Sequence, residues 1–287
     1  MKKKNIVKAA FLVVLIVASV AIIWQQRSTP YQHDTGFIFG TTYSVTYQYA
    51  KDLQPEIEAE MKEVDSALSP FNKQSIITAI NNNQKTSLNK KFTEVFNLAE
   101  KISRETDGAF DITVAPLVNE WGFGFKKGVD PSKHAIDSLR QIVGYQKVAL
   151  KDGKIVKQDP RINLDCSGVA KGYGSDCVAN LLRRHGIENF MVEIGGEVVT
   201  SGINPDRVPW RIGVTKPVDD PTLQGGELQT VLNVTDKAMA TSGNYRNFYY
   251  KGGKKYAHTI DPKTGYPVQH NILSSTVVAD NCATADA

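Results

Sequence analysis

The 287-residue chain is long enough to bury one large core or two modest ones, and its composition is that of an ordinary globular protein. Its formal net charge of +4 comes from five basic residues that precede the first acidic one. Without them 29 basic residues face 30 acidic ones, which excludes a basic nucleic-acid binder. Three cysteines without a C-x-x-C pair exclude a disulfide framework and a zinc-type site.

Residues 1–27 have the pattern of a targeting segment. Three lysines precede an apolar run over 9–24, and residues 25–27 are polar. The run is a little short for a spanning helix of about 20 residues and long for the apolar part of a signal peptide. Cleavage after Ala21 is one alternative, and a retained inner-membrane anchor with its lysines in the cytoplasm is favoured. Either way, we expect the body to be exported and to lie on the periplasmic side.

The elements that follow mix helices and strands without a regular βαβ alternation. Residues 28–35 have the composition of a polar linker, and alternating aromatic and β-branched residues predict a half-buried strand over 36–49. Other predicted elements are helices over 55–68, over 93–106 and after Ser132, a hairpin over 147–157, and short strands near 190–194, 210–214, 230–234, 248–250, 256–260 and 273–279. This order favours a single α+β domain over 36–287 rather than a doubly wound sheet.

The stretch over 163–176 organises the rest of the chain. It predicts the end of a strand, a tight glycine turn and the start of a long helix. The free N–H groups and positive end of such a helix form an anion site, and Gly168 and Gly172 let a ligand approach the backbone. Lys171 adds a cation and Asp165 a carboxylate, so a pyrophosphate-containing nucleotide fits here. The spacing matches neither standard nucleotide motif, and a simple strand-to-helix turn is the alternative.

Four further stretches suit a binding site, and each has a structural alternative. Residues 107–111, followed by the aromatic run over 121–125, suit stacking on a planar ring or packing on the core. Residues 240–245 form a small polar turn with hydroxyls, or simply a capped turn. His258 suits a general base or a structural histidine. Asp280 and Asp286, which flank Cys282, suit Mg²⁺ ligands or an exposed helix start.

These stretches form an ordered series. Its members are residues 40–43, 107–113 with 121–124, 165–176, 192–196, 240–246, 258–262 with Gly265, and 282–286. In this order they resemble the ApbE family of FAD:protein FMN transferases, and the resemblance covers residues 36–287. One such motif would be weak, whereas seven in sequence are specific.

The resemblance implies a single ApbE-like domain related to the T-fold. It also implies an enzyme that cleaves FAD at its pyrophosphate with the help of Mg²⁺, releases AMP, and attaches FMN to a Ser or Thr of an acceptor flavoprotein. Such an acceptor is expected to carry a Ser/Thr–Gly–Ala–Ser/Thr motif and to lie on the same side of the membrane.

Carried over residue by residue, the resemblance implies roles for individual positions. His258 corresponds to the catalytic histidine, while the Gly168 carbonyl and the Asp286 carboxylate correspond to Mg²⁺ ligands. The positions that correspond to FAD contacts are Phe39, Phe71, Ala109, Phe110, Asp111, Asp165, Lys171 and Ile260.

The chain departs from the family pattern at several positions. Phe39 stands where the family often has Met, Phe71 where it often has Tyr, and Glu193 where Asn is common. Cys166 replaces an aliphatic residue. A metal-binding Thr that the family places four residues after the position of Asp286 would fall beyond the last residue, so we expect the sequence to be truncated.

Two other functions remain open at this point. A FAD pyrophosphatase that gives FMN and AMP would share the same site, with water in place of the acceptor hydroxyl. A non-catalytic, membrane-tethered flavin-binding protein is favoured by the missing metal ligand and opposed by the presence of His258 and Asp286. A purely structural exported protein would leave the polar glycine turns without a ligand.

Overall fold

The computed structural model describes residues 2–125, 131–218, 227–245 and 247–287. Its helices are α1 (Lys2–Ser28), α2 (Gln54–Leu68), α3 (Ile76–Asn81), α4 (Lys90–Glu105), α5 (Ala115–Glu120), α6 (Lys133–Arg140), α7 (Ala170–Arg184) and α8 (Cys282–Asp286). Its strands are β1 (Tyr31–Ile38), β2 (Thr41–Gln48), β3 (Val148–Lys151), β4 (Lys154–Lys157), β5 (Phe190–Ile194), β6 (Glu197–Ser201), β7 (Trp210–Thr215), β8 (Leu228–Val234), β9 (Ala238–Gly243), β10 (Phe248–Lys251), β11 (Lys254–Ala257) and β12 (Ser274–Ala279).

One antiparallel sheet organises the described part of the chain. Its strand order is β1-β2-β5-β6-β9-β12, and the ribbons β3–β4, β7–β8 and β10–β11 lie outside it. This is the mixed α+β single domain that the sequence predicts. The predicted hairpin and short strands fall within a few residues of their observed positions, except that the strand predicted over 256–260 is β11 and ends at Ala257, before His258.

The alternation of side chains in β5 divides the core between the two faces of the sheet. Phe190, Val192 and Ile194 belong to a buried cluster with side chains of α2 and α7 on the first face. Met191 packs on the second face, where Trp210 of the ribbon β7–β8 is buried. Each fully buried side chain of this size contributes about 1.5–3 kcal/mol of transfer free energy, so both layers are stabilised by burial.

The prediction of a linker over 28–35 and one strand over 36–49 is wrong. Residues from Tyr31 onward already form β1, where the buried Asp34 accepts a 2.8 Å hydrogen bond from the hydroxyl of Tyr47 in β2. The two strands are joined by a turn at Phe39 and Gly40, whose φ angles are 51° and 75°. A phenylalanine is uncommon in this left-handed region, so Gly40 is the one residue of the pair that favours a hairpin turn.

Helix α1 covers the predicted targeting segment. Among the residues that the structure describes, no helix has both the length and the apolar character needed to cross a membrane. The anchor over residues 1–27 therefore stays a prediction.

Candidate active site

The segment that leads into α7 is clamped by side chains. Asn81 donates from Nδ2 to the carbonyl of Leu164 at 2.9 Å, and its Oδ1 accepts the Leu164 N–H at 2.7 Å. The N–H of Asp165 donates to the carbonyl of Ile112 at 2.7 Å, and Asp165 Oδ1 accepts the Ser167 N–H at 2.8 Å. The strand predicted before the glycine turn is absent from this described segment, because an asparagine rather than a neighbouring strand pairs with its backbone.

Lys171, in the first turn of α7, lies between two carboxylates. Its Nζ is 2.7 Å from Glu197 Oε1 and 3.7 Å from Asp286 Oδ1. The N–H of Gly172 donates to Asp286 Oδ2 at 3.0 Å. A Cβ on Gly172 would lie 2.5 Å from the carbonyl oxygen of Cys282, so α8 can approach α7 only because residue 172 is glycine.

The contact between α7 and α8 is reciprocal. Asp176 of α7 accepts the N–H groups of Cys282 and Ala283, at the start of α8, at 2.8 Å each. Asp286 of α8 in turn accepts from Gly172, near the start of α7. Both helices thus have free N–H groups satisfied by a carboxylate of the other, and we call this region the helix junction.

The charges of the helix junction are coupled. Burial raises the pKa of Glu197 to about 7, although the Lys171 cation opposes that shift. Burial likewise raises the pKa of Asp286, again against Lys171. Burial alone would lower the pKa of Lys171, but the two carboxylates outweigh it and the net direction is upward. Lys171 therefore stays charged at neutral pH, whereas Glu197 titrates near it.

His258 lies directly after β11, and its backbone N–H donates to the carbonyl of Asn247 at 3.1 Å. Its Nδ1 is buried and has no hydrogen-bond partner among the described residues. Burial lowers the pKa of His258, a hydrogen bond with the Asn247 backbone opposes that shift, and the nearby Lys171 charge adds to it. The imidazole is therefore neutral at pH 7 and can accept a proton.

A row of aromatic rings leads to His258. Trp121 stacks on Tyr256 and Tyr256 on Tyr249, each with ring centroids 5.5 Å apart, and Tyr249 stacks on Phe123 at 5.4 Å. The Phe123 ring meets the imidazole of His258 edge-on, at 6.4 Å. We call residues 257–259 with this row the histidine segment. Its position depends on ring packing rather than on ion pairs.

A cavity of about 580 Å³ adjoins the helix junction. Phe39, Phe71 and Lys171, three of the predicted FAD contacts, line it together with Ser167. Phe71 is 66% exposed and its ring lies 5.0 Å from that of Phe125, which is also exposed. A neighbouring cavity of about 240 Å³ shares Phe71 and includes Asp165. We call the larger one the nucleotide cavity. It offers aromatic surface for a planar ring close to a cation for phosphate.

Ala109 and Phe110 are predicted FAD contacts, and Gly168 is a predicted Mg²⁺ ligand just before α7. Ala109 and Gly168 are exposed, and Phe110 is half-buried. The position of a Cβ on Gly168 is 3.4 Å from Phe110 Cε2, so the edge of the phenylalanine ring lies beside the glycine turn. This placement is compatible with the predicted role of Ala109 and Phe110 in lining the nucleotide site.

The side chains of Asp111 and Ile260 are engaged within the fold. Asp111 is buried, its Oδ1 accepts from the N–H and the hydroxyl of Thr113, and its Oδ2 accepts the N–H of Tyr145. Ile260 is buried in a cluster with Trp121. Both side chains hold neighbouring loops together, and the FAD contacts of these two residues stay predictions.

Sequence reasoning missed Glu197, which follows the glycine pair at 195–196. Gly195 has a φ of 64°, and a Cβ there would lie 2.8 Å from Thr41 Cγ2 and 3.2 Å from Lys171 Cδ. The pair thus lets the turn between β5 and β6 press against the stem of Lys171. A carboxylate directly after two glycines was the available signal.

The oxygen atoms at the helix junction suit a hard cation, although no group of three or more His, Cys, Asp or Glu in the described ranges is arranged to hold a metal ion. The buried Oε2 of Glu197 has no partner there. The N–H of Gly172 donates to Asp286, whereas helical spacing would pair it with the carbonyl of Gly168. A carboxylate and a main-chain carbonyl therefore lie at the same helix start, and such oxygens are the ligands that Mg²⁺ prefers.

Comparison with known proteins agrees with this architecture. The model of the family described as ApbE matches residues 39–287. A FAD:protein FMN transferase of Vibrio cholerae is 37% identical over 265 residues, 88% of this chain and 78% of the relative. A FAD:protein FMN transferase of Haemophilus influenzae is 34% identical over 96% of this chain and 83% of its own length.

Solved structures give the same result. The flavin transferase ApbE from Vibrio cholerae superposes with a TM-score of 0.80 and 36% identity, over 90% of this chain and 84% of that one. The apo form of the Pseudomonas stutzeri flavinyl transferase ApbE gives 0.77 and 30%, over 90% and 82%. The fold and the site therefore define a single-domain α+β enzyme. This chain belongs to the ApbE family.

Proposed function

We propose that this protein transfers FMN from FAD to a Ser or Thr hydroxyl of an acceptor flavoprotein and releases AMP. The observation that carries the proposal is the meeting of three features: an aromatic nucleotide cavity, the Lys171 cation at its edge, and a neutral imidazole on His258 within the field of that cation. The relatives that match this chain are named FAD:protein FMN transferases, which supports the same reaction.

The chemistry uses each of these groups at a stated atom. The acceptor hydroxyl oxygen forms a bond to the phosphorus of the FMN half, and the bond from that phosphorus to the bridging oxygen breaks. The bridging oxygen leaves with AMP, and the hydroxyl proton passes to the imidazole of His258. Lys171 offsets the negative charge that accumulates on the pyrophosphate.

Magnesium fits the same proposal. Asp286 and the carbonyl of Gly168 would hold Mg²⁺, which supplies further positive charge to the pyrophosphate when it is bound. Glu197 keeps Lys171 in place beside this position, since their ion pair is 2.7 Å long and largely buried. The aromatic pair of Phe71 and Phe125 would bind a ring of the dinucleotide.

The location of the reaction is part of the proposal. The lysine-rich start and the apolar run over 9–24 support export or anchoring in the inner membrane, with the domain on the periplasmic side. The acceptor would be a flavoprotein domain on that side, with its hydroxyl in a Ser/Thr–Gly–Ala–Ser/Thr motif.

The test combines the full chain with FAD, Mg²⁺ and an acceptor domain that contains this motif. Covalent flavin fluorescence on the acceptor, an added mass equal to FMN, and one AMP per label are the expected results. An acceptor whose motif hydroxyls are replaced by alanine is the matched control. AMP release without any label would show a FAD pyrophosphatase, and bound FAD without turnover would show a flavin-binding protein.

A further inference from the structure

A second polar cavity, of about 350 Å³, lies between the second face of the sheet and the ribbon β7–β8. We call it the ribbon cavity. Its lining includes Thr42, Glu193, Gly195, Arg211, Thr215 and Tyr245. None of the described residues lines both this cavity and the nucleotide cavity, so the two are separate spaces on opposite sides of β2 and β5.

The ribbon cavity reaches the helix junction through Gly195. The space that a Cβ would occupy at this position is bounded by Thr41 Cγ2 at 2.8 Å and by Lys171 Cδ at 3.2 Å. Thr41 and Gly195 both line the ribbon cavity, whereas Lys171 lines the nucleotide cavity. Because residue 195 has no side chain, little more than the stem of Lys171 separates the two cavities.

The ribbon cavity also adjoins the loop that holds the histidine segment. Tyr245, which lines the cavity, follows Asn244, whose Oδ1 accepts a 2.6 Å hydrogen bond from the hydroxyl of Thr259. The same loop contributes the carbonyl of Asn247 that accepts the N–H of His258. A molecule in the ribbon cavity would therefore lie between the elements that carry the cation and the base.

The chemistry of the lining suits a polypeptide better than a flavin ring. Glu193 of β5 and the exposed Arg211 of β7 are residues of opposite charge in the lining, and neither forms a salt bridge with another residue of the described ranges. The hydroxyls of Thr42 and Thr215 add groups that can both donate to and accept from a peptide backbone. Charges on the rim of a site discriminate between partners by electrostatic complementarity.

We propose that the ribbon cavity binds the segment of the acceptor protein that flanks the target Ser or Thr, and so presents its hydroxyl between Lys171 and His258. This inference rests on the proposed function and adds the docking site and its specificity. Glu193 pairs with a cationic side chain of the acceptor and Arg211 with an anionic one. FAD and the acceptor thus enter from different sides of the sheet.

The test uses charge reversal on both partners. The probes are two fluorescent 12-residue peptides built around Ser-Gly-Ala-Thr, one flanked by lysines and one by glutamates, added to the FAD-loaded full chain. We expect Glu193→Lys to weaken binding of the lysine-flanked peptide about tenfold and to strengthen that of the glutamate-flanked one. Arg211→Glu should do the opposite. Glu188→Lys, on an exposed residue outside the cavity, is the matched control and should change neither.

The same variants are then assayed with the acceptor domain. The KM for the acceptor should change several-fold in Glu193→Lys, while kcat at saturating acceptor and the Kd for FAD remain at the values of the unmodified protein. Unchanged peptide binding and acceptor KM in both cavity variants would overturn the inference, as would a change in FAD affinity alone. Charge-dependent peptide binding without any flavin transfer would support the docking site and refute the proposed function.

Discussion

The helix junction and the histidine segment supply the two halves of the reaction centre in different ways. At the helix junction, Lys171 is fixed by two carboxylates, and the helices α7 and α8 exchange hydrogen bonds through Asp176 and Asp286. The histidine segment holds His258 by one backbone hydrogen bond and a row of stacked rings. The cation is thus positioned by directional, charged contacts, and the base by ring packing and one backbone hydrogen bond.

This difference has a chemical reason. A lysine that must stay charged needs carboxylates close to it, because burial alone would lower its pKa. A histidine that must stay neutral needs the reverse, an apolar wall and no nearby carboxylate. The two halves should therefore respond differently to substitution and to pH.

The largest effect is expected from removal of the base. His258→Ala should lower the rate of FMN transfer by about 10²–10⁴-fold and leave FAD binding nearly unchanged, because the imidazole acts on the acceptor hydroxyl. Single-turnover labelling and flavin fluorescence measure the two quantities. His134→Ala, on an exposed residue of α6, is the control and should behave like the unmodified protein. Transfer at the normal rate in His258→Ala would remove this residue from the mechanism.

The pH dependence of stability should separate the carboxylates from the base. The pKa of Glu197 is raised from 4.5 to about 7, so between these values the folded state binds more protons than the unfolded one, and stability falls as the pH rises. A shift of this size corresponds to about 3 kcal/mol.

Urea unfolding at a series of pH values, without Mg²⁺, measures this term. Glu197→Gln should flatten the decline in unfolding free energy between pH 4.5 and 7, and the exposed control Glu188→Gln should not. Identical slopes in all three proteins would contradict the raised pKa of Glu197. The pKa of His258 is lowered rather than raised, so this residue should affect the opposite side of the pH range. Transfer activity should be lost as the pH falls through that pKa, below about 6.5, because the protonated imidazole cannot act as the base.

Crowding of the helix junction should destabilise the whole domain moderately. Gly172→Ala places a Cβ against backbone of Cys282, at 2.5 Å, which should cost about 1–3 kcal/mol of unfolding free energy. Gly168→Ala is the matched control, because its Cβ would meet only Phe110 at 3.4 Å. Equal stability of the two variants would show that α8 can move away from α7 without cost.

The smallest effect should come from the aromatic row. Phe123→Leu removes the ring that contacts the imidazole of His258, and an aromatic contact of this kind is worth about 0.5–1.5 kcal/mol. The expected result is a few-fold lower kcat with an unchanged KM for FAD. Phe37→Leu, on a ring that is 70% exposed in β1, serves as the control. A loss as large as that of His258→Ala would mean that the row does more than position the base.

Much of the fold could be predicted from the sequence, because it depends on local patterns. The alternation in β5 and the glycine turn before α7 each lead to the observed element. The hairpin of β1 and β2 could not be found, since Phe39 adopts a φ angle of 51° that its residue type does not suggest. Phe39, whose backbone is in this strained conformation, lines the nucleotide cavity, and such backbone strain clusters at functional sites.

The site was predicted less completely than the fold. Lys171, Asp286 and His258 lie in one neighbourhood, as the resemblance implies. The carboxylate of Asp111 is used by the loop around it, because three donors surround it, and its contact with FAD stays a prediction. Glu197 was missed because its role depends on a contact across 26 residues of sequence, which the glycine pair before it does not by itself reveal.

The exchange of hydrogen bonds between α7 and α8 also bears on how the protein is synthesised. The bonded residues are 106 and 114 positions apart in the chain, and one partner in each case belongs to the last described helix. During synthesis Lys171 and Glu197 emerge from the ribosome well before Asp286 does. The nascent domain therefore lacks a partner for the start of α7 until α8 docks, and the helix junction forms only after α8 has been translated.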